Sequence, residues 1–146
     1  MVKRQPIIYL TAGEALAFNR EIVRRAGASV QAGAFLRERG LLESAVQRPQ
    51  NAAYYAGADL ITQAALYMVG IALNHPFVDG NKRTGYISGM TFLRVNGFLD
   101  LLNATVSLND AQMGVWLEQV VSRQISFETF VDHLRQQLSP KRDAQS

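Results

Sequence analysis

From Leu60 to Asn74 the chain carries no charged residue, and Ile61, Leu66, Met68, Val69, Ile71 and Leu73 leave no side of a helical wheel polar. A helix at a protein surface shows one apolar stripe, whereas a stretch apolar all round must be buried on every side. The run is too short for a bilayer, which takes about 20 apolar residues, and it contains Thr62, Gln63 and Gly70. The chain is therefore expected to wrap its other elements around a helix running from about Gly57 to Leu73.

Those other elements also read as helices. Thr11-Ala-Gly-Glu14 has the form of a capping box, followed by Ala15, Phe18, Ile22 and Ala26 on one face and Gly27 as the stop. A short extended piece, Ile7 to Leu10, precedes it. A brief helix from Leu41 to Gln47 is predicted to end before Pro49, because the proline pushes Arg48 out of the helical region. A long helix is predicted from Asn81 to Val95, stopping at Asn96-Gly97. Gly85 and Gly89 lie one turn apart inside it, each costing about 1 kcal/mol against alanine, so another helix is expected to come close there. Met113, Trp116, Leu117, Val120 and Val121 repeat at helical spacing behind Asn109-Asp110, and Phe127, Phe130, Val131, Leu134 and Leu138 do so behind Ser126; both stripes read as core. The expectation is an all-α bundle of about six helices in a single domain over residues 1–138, with a polar, frayed tail at 139–146.

Composition narrows the chemistry. There is no cysteine, which excludes disulfides and thiolate catalysis, and only two histidines, His75 and His133, which excludes a histidine-rich metal site. His133 reads as a surface residue outside the last helix's apolar stripe, without a role. The net charge of +3 comes from scattered arginines with no interleaved aromatics, so a nucleic-acid partner is not expected. No apolar segment follows Lys3 and Arg4, so no secretory signal is read, no membrane is expected, and a cytoplasmic location fits.

One joint departs from ordinary loop composition: His75-Pro-Phe-Val-Asp79-Gly80-Asn81-Lys82-Arg83-Thr84. Asn81 is a natural N-cap, so the N–H groups of the turn behind it face the loop, as in helix-terminal phosphate sites. Gly80 permits unusual dihedrals and close approach of a ligand to the backbone. Lys82 and Arg83 put two cations in the first helical turn, against the helix dipole, a conflict that a bound anion would resolve. Asp79 is a hard oxygen ligand of the kind that holds Mg²⁺ beside phosphates. His75, the loop's one imidazole and a side chain suited to taking a hydroxyl proton near neutrality, is the candidate base. Pro76 is expected to keep His75 extended, and Phe77 to anchor the loop in the core.

His-Pro-Phe-Val-Asp-Gly-Asn-Lys-Arg at 75–83 resembles the signature of the Fic family, His-x-Phe-x-Asp/Glu-Gly/Ala-Asn-x-Arg, and the lysine before the arginine resembles its Doc (death-on-curing) branch. Gly40 to Pro49, Tyr9-Leu-Thr, Leu93 to Gly97 and Ile125 to Leu138 are similar to the same branch, so the resemblance covers about residues 7–138. It implies a helical bundle with a short flap just after Arg48 that would align a target segment as an added strand. It implies His75 as general base and Asp79 as the Mg²⁺ ligand. Gly80, Asn81, Lys82 and Arg83 would hold the phosphates of ATP or another nucleoside triphosphate, with Lys82 and Arg83 part of the catalytic set and Phe77 supporting the loop.

By the same resemblance the chain would be a toxin of a toxin–antitoxin pair, a protein kinase passing the terminal phosphate of ATP to a Ser/Thr hydroxyl of a target protein, with a translation elongation factor as the family-suggested target. AMP-transferring Fic enzymes carry glycine where Lys82 stands and a second arginine where Tyr86 stands. Some Doc relatives have asparagine where this chain has Ile87. AMP transfer, and an inactive Fic-like binding module, are the alternatives. The family's inhibitory signature, Ser/Thr-x-x-x-Glu-Gly/Asn, is absent, which implies an antitoxin acting in trans.

Overall fold

The structure, a computed structural model, describes residues 6–27, 36–98 and 110–138. Among them are six helices: α1 (Ala12–Arg25), α2 (Arg39–Ala56), α3 (Leu60–Asn74), α4 (Asn81–Val95), α5 (Asp110–Val121) and α6 (Phe127–Leu138). The fold is all-α, with no strand among the described residues and one isolated antiparallel bridge, Leu36 to Phe77. No described helix is long and apolar enough to cross a membrane. Residues 1–5 and the tail at 139–146 lie outside the described residues, as does Asn109 ahead of α5.

As the charge-free run requires, α3 is the centre: Ile61, Ala64, Ala65, Tyr67, Met68, Val69, Ile71 and Ala72 are buried on it. Its closest neighbour is α4, which crosses where Gly85 and Gly89 leave room. A Cβ on Gly85 would stand 2.5 Å from the Met68 carbonyl oxygen, and one on Gly89 would stand 2.7 Å from that of Ala64. The segment before α1 is tied to the same core without forming a strand. Tyr9 donates its hydroxyl to Gln63 Oε1 at 2.8 Å, and the Leu10 N–H donates to the Tyr67 hydroxyl at 3.0 Å.

α1 begins with the expected capping box between Thr11 and Glu14. Its buried line, however, is Ala15, Asn19 and Val23; Ala26 is exposed and Phe18 and Ile22 are half-buried, so the helix is turned from the face its apolar residues suggested.

Two further expectations are corrected. α2 does not stop before Pro49 but runs through it to a left-handed cap at Gly57. Its buried residues, Leu42, Ala45, Val46 and Pro49, continue one helical stripe straight through the proline. Burial on α3, with the Arg48 guanidinium donating to Asn74 Oδ1 at 3.0 Å, outweighs the local preference against helix at Arg48. The Ala45 carbonyl, which Pro49 has no N–H to satisfy, faces Gly70 of α3, whose Cβ would lie 3.6 Å away. Consequently the residues just after Arg48 are helix and not a flap. The extended backbone that does meet the loop precedes α2, at Leu36. Secondly, His133 is not a bare surface residue: it is half-buried, its ring stacked on Trp116 of α5 at 4.3 Å between centroids.

Candidate active site

α3 delivers His75 at its C-terminal cap. The His75 N–H donates to the Ile71 carbonyl at 3.1 Å, and the residue sits in the left-handed region at φ 53, ψ 51. The extended backbone expected from the following proline is therefore wrong. For a residue with a Cβ this conformation is costly and persists only when neighbours enforce it. Here the chain ahead of α2 does so: Arg37 Nε donates to the His75 carbonyl at 3.1 Å and the Arg37 N–H to the Pro76 carbonyl at 2.7 Å. Phe77 is fully buried, as expected of the loop's anchor.

Asn81 is not the N-cap. Gly80 is, at φ 76 and ψ 20, and Asn81 is the first residue of α4. Its buried side chain instead grips the loop. Oδ1 accepts the Phe77 N–H at 3.0 Å and Nδ2 donates to the Phe77 carbonyl at 3.0 Å, which fixes the amide's orientation. The second Nδ2 hydrogen is left for His75 Nδ1, 3.2 Å away. Nδ1 is thus an acceptor, and a neutral ring in this arrangement carries its proton on Nε2.

The peptide between Asp79 and Gly80 is held at both ends. The Gly80 N–H donates to Asp79 Oδ1 at 2.7 Å, and the Asp79 carbonyl accepts from Asn19 Nδ2 at 2.7 Å. Asp79 is exposed, and no described residue bonds to its Oδ2. No cluster of three or more His, Cys, Asp or Glu suited to a metal occurs among the described residues. A cation held by protein groups alone does not fit; Mg²⁺ held by one carboxylate together with phosphate oxygens does. Beside it, Lys82 Nζ is ion-paired with Glu118 of α5, whereas Arg83 makes no hydrogen bond or ion pair with any described residue.

His75, Asp79, Gly80, Asn81, Lys82 and Arg83 all line one cavity of about 510 Å³, walled opposite by Ile22 and Val23 of α1, by Ala26 just after it and by Val121 of α5. Lys82 and Arg83 also border a second cavity of about 460 Å³, between α4 and α5, lined by Ile87, Met113 and Leu117 among others. There the Tyr86 hydroxyl donates to Asp110 Oδ1 at 2.6 Å. Burial, helped by that bond and the adjacent carboxylate, holds the Tyr86 phenol well above its ordinary pKa, so it stays neutral.

The residue that sequence reasoning missed is Asn19. Its signal was present: Asn19 falls in line with Ala15 and Val23, a polar residue in a row that the fold buries.

An all-helical core that carries this loop between its two central helices defines a recognised class. The model of the Fic/DOC family matches residues 9–93, more than half of the chain, and the chain belongs to that family. It is 43% identical over 82 residues to the protein "Toxin Doc" of Mycolicibacterium smegmatis (strain ATCC 700084 / mc(2)155), a match covering 54% of this chain and 63% of the relative's length.

Proposed function

We propose that this chain is the toxin of a toxin–antitoxin pair and acts as a protein kinase, moving the terminal phosphate of ATP to a Ser or Thr hydroxyl on a target protein. The observation that carries the reading is the convergence of His75, Asp79 and the start of α4 on one cavity. The likeness to a protein named Toxin Doc and membership of the Fic/DOC family support the toxin assignment. An antitoxin in trans, a cytoplasmic setting and a translation elongation factor as target follow from the family resemblance.

Phosphoryl transfer asks chiefly for positioning and charge neutralisation. In the reaction the target's hydroxyl oxygen bonds to the γ-phosphorus as the bond to the ADP oxygen breaks, and His75 takes the hydroxyl proton. For Nε2 to receive it, the ring's own proton must first lie on Nδ1, so the Asn81 hydrogen has to leave the ring; sharing it with a phosphate oxygen would do this. Arg83, which no described residue engages, and the N–H groups that open α4 neutralise the phosphates. Asp79 Oδ2 would hold Mg²⁺, which supplies charge neutralisation between phosphate groups. Terminal transfer is preferred to AMP transfer because Lys82 crowds the turn where the AMP-transferring enzymes have glycine. Tyr86, engaged with Asp110, also supplies no second cation.

The dividing experiment incubates the purified chain with lysate and ATP labelled at the α or the γ phosphate. Label on protein from the γ position alone is expected. Label only from the α position would replace the kinase by the AMP transferase. Growth arrest that survives His75→Ala in a folded protein would leave only a binding module.

A further inference from the structure

Of the three residues that α1 buries, only Asn19 is polar. Its Nδ2 donates to the Asp79 carbonyl at 2.7 Å and to Thr84 Oγ1 at 3.1 Å, acceptors that bracket the Gly80 turn. Its Oδ1 is sealed from solvent with no partner among the described residues. An orphaned buried acceptor is destabilising, so packing alone does not account for an amide at this position. What the amide's other end holds accounts for its presence.

We propose that Asn19 is the positioning residue of the loop: from α1 it fixes the Asp79–Gly80 peptide and, through it, both the Asp79 carboxylate and the first N–H groups of α4. That peptide has its C=O held by Asn19 and its N–H held by Asp79 Oδ1. Rotating it would therefore displace the carboxylate and reorient the helix end together. Gly80 leaves no slack, since a Cβ there would lie 3.2 Å from Asn19 Nδ2. The inference rests on the reading of the cavity as a Mg²⁺–nucleotide site. α1 then does two things: its Ile22 and Val23 wall the cavity, and its Asn19 sets the opposite wall's geometry.

The test compares Asn19→Leu with Asn96→Ala, a matched destabilised control. Asn96 ties Ile8 and Phe92 together far from the loop. Titration of MgATP into the full chain is expected to show Kd raised about tenfold in Asn19→Leu, the cost of a lost buried hydrogen bond, and within about twofold of wild type in Asn96→Ala. Amide hydrogen exchange at residues 79–83 is expected to quicken only in Asn19→Leu. Wild-type Kd and exchange in a folded Asn19→Leu, or equal weakening by Asn96→Ala, would overturn the proposal. If the wild type binds no MgATP, the nucleotide reading falls, and the exchange comparison still decides what Asn19 does. Should Asn19→Leu fail to fold, the isosteric Asn19→Asp, which also loses the Nδ2 donor, replaces it.

Discussion

Gly85 of α4 faces the backbone of Met68 so closely that an added methyl would lie 2.5 Å from the Met68 carbonyl oxygen. The obstacle is backbone in the central helix and cannot turn aside. Gly85→Ala would gain about 0.5–1 kcal/mol of helix propensity but must push α4 off α3, at about 1–3 kcal/mol or more. A net loss is expected, lowering Tm by several degrees in thermal unfolding. A Tm at or above that of the wild type would show that the crossing has slack.

Asp59 caps α3 by accepting the Thr62 N–H at 2.9 Å and pairs with Arg135 of α6 at 2.9 Å. Burial opposes its charge, but the hydrogen bonds from Arg135 and Thr62 outweigh burial and bring its pKa down to about 2. The folded value lies below the unfolded one, about 3.9. The stabilisation is therefore fully present above about pH 4 and disappears as the pH falls through about 2. Partial exposure keeps it to about 1 kcal/mol or less beyond the cap itself. Denaturant titrations from pH 5 to 2 should show wild type losing stability relative to Asp59→Asn across that window. Parallel curves would remove the linkage.

The central helix, the Asn81–Val95 helix and the close crossing at Gly85 and Gly89 were legible because they depend on local periodicity and on the absence of a Cβ. The course of α2 through Pro49 was not legible. The local rule at Arg48 was overridden by burial of Leu42, Ala45, Val46 and Pro49 on α3, and nothing near Pro49 in sequence announces that partner. The loop's chemistry could be read from its residue types, but its mechanics could not. His75 adopts a left-handed cap because Arg37 holds it from a distant segment, and Asn81 grips Phe77 where an N-cap was expected. Asn19 escaped notice because α1 is turned to bury a line of one alanine, one amide and one valine.

Lys82 is engaged by Glu118, a surface pair with side chains 49% and 54% exposed. A phosphate arriving at the loop competes with that carboxylate. Glu118→Gln should therefore tighten MgATP binding, by no more than about fivefold, the range of an exposed pair. The difference should shrink as salt is raised. Weaker binding in Glu118→Gln would mean that the carboxylate orients Lys82 towards the nucleotide.

Asn81 presents an N–H to His75 Nδ1, so the neutral ring in the ligand-free protein should be the Nε2–H tautomer. Long-range ¹H–¹⁵N correlation spectra distinguish the tautomers directly, and an Nδ1–H ring would contradict the geometry. In Asn81→Asp a carboxylate replaces the amide beside the ring and favours the imidazolium. A base works only when neutral, so the acid limb of the transfer-rate profile should move to higher pH than in wild type. The same variant loses the bond to the Phe77 carbonyl, so its maximal rate should also fall, by about tenfold or more. A reduced rate with an unmoved acid limb would assign Asn81 to the loop's architecture alone.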